Sequence, residues 1–303
     1  MGKEMRFVVL FVLIWMSAGC LVRAEADPGS ASSGTAQEVM LPRMSLEEYP
    51  RMDGSLACVP LCEALARKVT GCTQQEAEET MWAFTNTNPC YLKLAEGERD
   101  LLLVYEPSEE TREELEEFPP LDMRPVGRDA LVFLVSRDNP VTGLTMQEVT
   151  DIYTGKITNW SQVGGPDEEI VAYQRPENSG SQTLMRKLLL GDAEMAEAPS
   201  LVFSSMDEII EALREYENGP AALGYSVYYY ASEMMDTPEL RFLAVEGVEP
   251  TNETIRSGEY PLVNDFYCVV NAQSSENAVR IRDWLLGEDG QAFVEECGYV
   301  PAG

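Results

Sequence analysis

Residues 130–135, Ala-Leu-Val-Phe-Leu-Val, are apolar without interruption. A run that short, with β-branched and aromatic side chains in it, reads as a buried central strand. Leu-Leu-Leu-Val at 101–104 reads the same way, and further strands are expected at 201–203, 222–225 and 266–270. Helical spacing of apolar residues fills the intervals, at 59–69, around Tyr91, Leu92 and Leu94, and at 109–118, 146–153, 206–216 and 274–286, with a last short helix at 291–297. Residues 76–83 read as a loop or short helix, 84–89 as a polar loop and 155–165 as a turn region. Strands alternating with helices predict an α/β fold with largely parallel sheets. Ligand loops in that class lie beyond the carboxyl ends of strands. Polar turns at 53–56, 85–88 and 175–181 fall there, and Tyr105-Glu106 follows a strand directly.

The richest of these turns lies within residues 173–185, Tyr-Gln-Arg-Pro-Glu-Asn-Ser-Gly-Ser-Gln-Thr-Leu-Met. An apolar run, 170–173, delivers the chain into it, and Leu184, Leu188 and Leu189 follow at helical spacing. Ser179, Gly180 and Ser181 thus fall at the first turn of a helix. There the leading N–H groups lack backbone acceptors and the macrodipole is positive, which suits an anion. Glycine admits close approach, the hydroxyls can donate, and Arg175 supplies a charged fork. The same string is also an ordinary helix cap, because Asn and Ser commonly occupy that position.

Composition narrows the function classes. A chain of 303 residues accommodates two domains or one large one. Its formal net charge of −30 repels nucleic acid and anionic lipid. Small-anion capture is compatible with that charge, since screening over about 8 Å leaves contact donors in control of the site. The excess of acid reads as a solubilising surface. With no histidine in the sequence, His-based metal sites and Ser-His-Asp or Cys-His catalysis are excluded. No residue spacing proposes an enzyme, a metal or a cofactor.

The amino terminus reads as an export signal. Lys3 and Arg6 precede the apolar run 7–16, which is too short for a comfortable membrane span. Ser-Ala-Gly-Cys at 17–20 resembles the lipidation motif of bacterial lipoproteins, with Ser17 where leucine is usual. The resemblance implies a lipoprotein signal peptide over 1–20, a lipidated Cys20, and attachment to the outer face of the cytoplasmic membrane. Residues 21–44 read as a flexible tether, with Ala, Ser and Gly concentrated in 24–38. Six further cysteines, Cys58, Cys62, Cys72, Cys90, Cys268 and Cys297, permit three disulfides in an exported chain. Cys268 with Cys297 is the pairing favoured here, and buried free thiols are the alternative.

Several strings are similar to the phosphate-binding proteins of bacterial phosphate ABC transporters. Residues 144–165, with the core Thr-Gly-Lys-Ile-Thr-Asn-Trp, and Arg-Pro-Glu-Asn-Ser-Gly-Ser at 175–181 carry the resemblance. Gly224-Tyr225, residues 255–262 and Gly-Tyr-Val-Pro at 298–301 extend it over roughly 48–301. It implies a two-lobed periplasmic-binding-protein fold, with 45–129 plus 232–303 as one lobe and 130–231 as the other, closing on a ligand about a hinge. Position by position, it implies ligand contacts from Arg175, Ser179, Gly180 and Ser181, with Glu177 holding the arginine. Opposite them it implies Ser55 and Leu56, then Thr85, Asn86 and Thr87. Glu106 falls where the family carries an aspartate that accepts a hydrogen bond from a protonated phosphate oxygen. The expected partners are inorganic phosphate and a membrane permease, with the protein a monomer. A binder or sensor of another oxyanion without a transport role, or a surface adhesin on the same scaffold, are the alternatives.

Overall fold

The computed structural model describes residues 40–80, 84–177, 179–214 and 219–303. In chain order the first half runs β1 (Met52–Gly54), α1 (Val59–Thr70), α2 (Gln74–Thr80), α3 (Thr87–Ala95), β2 (Leu101–Val104), α4 (Glu109–Leu115), β3 (Asp122–Ser136), β4 (Gly143–Leu144) and α5 (Met146–Tyr153). The second half runs β5 (Val171–Ala172), α6 (Gly180–Met185), α7 (Met206–Arg214), β6 (Ala222–Val227), β7 (Leu240–Phe242), β8 (Ala244–Val245), α8 (Asn252–Ser257), β9 (Val263–Val270), α9 (Glu276–Leu285), α10 (Glu288–Glu296) and β10 (Val300–Pro301).

The apolar run that anchors the sequence reading is the second half of β3, and Ala130 to Val135 are buried side by side. β3 is longer than that run because its first half finds a different partner. Residues 122–130 pair antiparallel with β9, whereas 131–134 pair antiparallel with β6. One strand thus serves two sets of ladders. On one side the order is β1-β2-β9-β3 and on the other β3-β6-β5. Parallel pairing, expected from the strand–helix alternation, is found at β1–β2 and β5–β6, and the ladders that include β3 and β9 add antiparallel pairs to the sheet.

Local differences from expectation have identifiable causes. The strand expected at 201–203 is a single parallel bridge, Gln174 to Val202, after a short 3-10 turn that begins at Pro199. Proline favours such a turn and cannot donate to a ladder. Thr87, Asn88 and Pro89 belong to α3 rather than to the preceding loop, because the Asn86 carbonyl oxygen of the side chain accepts the Thr87 N–H and starts the helix there. α4 ends at Leu115, three residues short of expectation. The far ends of the expected helices at 76–83 and 206–216 lie outside the described residues.

All six cysteines of the described region are free. The pairing of Cys268 with Cys297 is therefore corrected. Cys268 lies wholly buried within β9 and packs as a small apolar group, while Cys297 is half-buried at the end of α10. Burial pushes the Cys58, Cys62, Cys90 and Cys268 thiols upward, so they stay protonated at neutral pH.

Candidate anion site

A small, tightly closed cavity lies where the two sets of ladders meet. Ser55, Leu56, Ala57, Asn86, Thr87 and Tyr105 line it from the β1–β2 side, and Arg175, Gly180, Ser181, Met206 and Val227 from the β5–β6 side. Its loops emerge from strand carboxyl ends: Ser55 follows β1, Tyr105 follows β2, and Arg175 comes three residues after β5. Three helical starts converge on it. Leu56 opens a 3-10 turn that runs into α1, Thr87 opens α3, and Gly180 opens α6. Each brings N–H groups that have no intrahelical acceptor.

Two glycines permit this geometry. A Cβ on Gly54 would stand 1.9 Å from the Leu103 carbonyl oxygen, so only glycine lets β1 close on β2 just before Ser55. A Cβ on Gly180 would stand 2.4 Å from Thr87 Oγ1, which sits on the opposite wall of the cavity. The two walls are therefore in contact.

The hydroxyls on the β1–β2 side are connected. Ser55 Oγ and Thr87 Oγ1 share a hydrogen bond of 2.8 Å, and the Tyr105 N–H donates to Ser55 Oγ at 3.1 Å. The Tyr105 hydroxyl donates to Asp129 at 2.6 Å. Asp129 is 1% exposed and also accepts from the N–H groups of Ala130 and Tyr229. Burial pushes its pKa up to about 6, even though these donors favour the ionised form.

Across the cavity, Arg175 is 5% exposed, and its Nε and Nη1 are buried without partners. Ser181 Oγ is buried and unpartnered as well. Burial pulls the Arg175 guanidinium below its ordinary pKa, against the pull of Tyr225, Asp207 and Glu208. The Arg175 backbone is fixed by Tyr225, whose hydroxyl accepts the Arg175 N–H at 2.9 Å and donates to Gln182. A charge held dry with donors unmade is costly, and buried polar groups in folded proteins are nearly always satisfied. The cavity thus presents unmet donor capacity and one formal positive charge.

Of the residues expected at a ligand, Ser55, Leu56, Asn86, Thr87, Arg175, Gly180 and Ser181 line the cavity. Three others are placed differently. Thr85 donates through both its N–H and its hydroxyl to the buried Asp53 carboxylate, at 2.8 and 2.7 Å, and so pins the loop before α3. Ser179 caps α6, its Oγ accepting the Gln182 N–H at 3.3 Å. Glu106 is bound by Arg112, Lys187 and Tyr267. Glu177 pairs with Arg186 at 2.6 Å rather than with Arg175, since it points to the exposed side of the loop. Ala57, Met206 and Val227 were not singled out from sequence, and Tyr105 was noted only as part of the turn that follows β2. A wider groove around Arg137, Asp236, Arg241 and Glu249 mixes charge signs. The Arg241 guanidinium there is already donated to the carbonyls of Asn139 and Val141.

An α/β sheet with donor-lined loops at strand ends on two facing walls offers a setting suited to a small anion. The profile of the PBP superfamily domain matches residues 63–289, and the chain belongs to that superfamily. Among curated relatives, the phosphate-binding protein PstS of Borreliella burgdorferi is 31% identical over 179 residues, covering 57% of this chain and 63% of that protein. PstS of Bacillus subtilis is 30% identical over 176 residues, covering 57% of this chain and 56% of that protein. The matched part therefore spans under two thirds of each. An ABC-type phosphate transport receptor from Vibrio cholerae shares the fold, with a TM-score of 0.62 and 24% identity over 82% of this chain and 98% of the receptor.

Proposed function

We propose that this protein captures inorganic phosphate outside the cytoplasm and delivers it to an ABC permease. The single observation that carries the reading is the pair of buried, unpartnered donors in one cavity, Arg175 and Ser181. A tetrahedral oxyanion has acceptors in enough directions to meet both, together with the N–H groups at the starts of α1, α3 and α6. The relatives named for phosphate binding favour phosphate among such anions. Capture needs no reacting group: neutral donors, helix starts and one arginine replace the hydration shell, and wall-to-wall closure excludes water.

The proposed ligand set is Ser55, Leu56, Asn86, Thr87, Arg175, Gly180 and Ser181, with Thr85 and Ser179 holding the loops that present it. The proposed lobes are 45–129 plus 232–303 and 130–231. The first boundary, 129/130, is supported by the change of partner in β3 one residue further on, where Ala130 still pairs with β9 and Leu131 pairs with β6. Attachment through a lipidated Cys20 and a monomeric state complete the proposal. Cys20 lies outside the described residues. Among those that are described, no helix is long and apolar enough to cross a membrane.

Titration calorimetry on protein lacking residues 1–20 tests the reading. Phosphate is expected to bind with measurable heat, and sulfate at equal concentration to leave that heat unchanged. Equal displacement by sulfate would move the reading to tetrahedral oxyanions in general. No heat at millimolar phosphate would overturn it.

A further inference from the structure

Glu106 lies at the end of β2, on the wall that carries Ser55 and Thr87, yet it does not line the cavity. Its Oε1 accepts from Lys187 Nζ at 2.7 Å and from the Tyr267 hydroxyl at 2.8 Å, and its Oε2 accepts from Arg112 at 2.6 Å. Lys187 comes from the opposite wall. It lies on the helical turn that continues α6, roughly two turns beyond Gly180. Lys187 Nζ also donates to Asn264 Oδ1 at 3.0 Å, and Asn264 belongs to β9 on the Glu106 side. One ammonium from the β5–β6 side thus makes two hydrogen bonds to the β1–β2–β9 side. The other two partners of Glu106, Arg112 and Tyr267, are on that same side.

We propose that Glu106 and Lys187 are positioning residues that latch the closed cavity without touching the ligand. The proposal rests on the two-lobed phosphate-capture reading. Its basis is asymmetry of attachment. If the lobes part, Glu106 keeps Arg112 and Tyr267 and loses only Lys187, whereas Lys187 loses both its partners. The pair therefore contributes free energy to the closed state alone, and such a differential contact shifts the open–closed population. Affinity for an enclosed ligand scales with the fraction of protein in the competent state. Burial opposes ionisation of Glu106, but the hydrogen bonds from Lys187 and Tyr267 outweigh it and hold the carboxyl below its usual range. The carboxylate is only 16% exposed and the Lys187 side chain 40% exposed, so salt weakens the pair without abolishing it.

The test is a double-mutant cycle of Lys187→Met and Glu106→Gln, read by stopped-flow release of phosphate. Each single variant is expected to speed release by roughly threefold to tenfold, from the size of a partly buried charge pair. The association rate stays nearly unchanged. The double variant is expected to be no worse than the more affected single one, and the Lys187→Met effect to shrink in high salt. Small-angle scattering of the ligand-free chains is the second arm, with a larger radius of gyration expected for Lys187→Met. Unchanged release in Lys187→Met would overturn the latch. So would a Glu106→Gln variant that changes the preference between phosphate and sulfate while Lys187→Met is silent, since that places Glu106 on the ligand. If the unaltered protein does not bind phosphate, the functional reading fails and scattering alone decides the latch, equal radii overturning it.

Discussion

Replacing Arg175 with methionine keeps most of the apolar stem and removes the guanidinium, which separates binding from folding. Arg175 is buried with Nε and Nη1 unpaired, so in the ligand-free protein its charge is a liability. Under the proposed function it becomes the main Coulombic contact once phosphate is bound. The variant should lose about 2–5 kcal/mol of phosphate affinity, measured by calorimetry. Its ligand-free unfolding temperature should stay level or rise. A residue with only a packing role would lower both, so opposite signs identify the ligand contact. The arginine was legible from sequence because Arg, Ser, Gly and Ser stand together ahead of a helix pattern. The orientation of Glu177 was not, because neighbouring loop side chains diverge according to backbone angles that sequence spacing does not specify.

At the scale of elements, the start of α3 illustrates how a site stores strain. Asn86 has φ 84° and ψ 173°, a region that essentially only glycine occupies without cost. Its side chain accepts the Thr87 N–H at 3.0 Å, which fixes the helix start and turns Thr87 toward Ser55 and Gly180. Asn86→Ala should destabilise the ligand-free protein by about 1–3 kcal/mol in chemical denaturation, losing the cap while keeping the strained backbone. Asn86→Gly should be neutral or stabilising, because it removes the strain and substitutes for Asn at a cap at a cost of a few tenths of a kcal/mol. The helices themselves were readable from apolar spacing. The reduction of the strand expected at 201–203 to a single bridge was not, since the extension of a short apolar run is set by what lies beside it.

Over the whole molecule, Asp129 ties the crossing strand to the cavity. It sits one residue before the change of partner in β3 and holds Tyr105 from the cavity wall and Tyr229 from the segment after β6. Its pKa, pushed up to about 6 from an unfolded value near 4, makes the folded state bind the proton more tightly. The stability linked to this group is therefore fully present below about pH 4 and is lost as pH rises through 6. The difference in unfolding free energy between the unaltered chain and Asp129→Asn isolates the effect from the many surface carboxylates. It should shift against the unaltered chain by on the order of 2–3 kcal/mol between pH 4 and pH 7. A flat difference would mean that Asp129 titrates normally.

By itself the sequence determined the α/β class, most helices, the central strand and the donor-rich turn before α6. These depend on local periodicity and on residue chemistry that acts over a few positions. Tertiary structure decided which turns face one another. It brought Ser55, Thr87, Gly180 and Ser181, which are up to 126 positions apart, around one cavity. It also took Glu106 away from that cavity and gave it to Lys187, 81 residues distant. The oxygens of a carboxylate bond to whichever cations and hydroxyls the fold delivers, and only the packing of β2, β9, α4 and the extension of α6 sets that choice. The free cysteines follow the same logic, for pairing depends on the separation of two thiols in space and not on their even number in the chain.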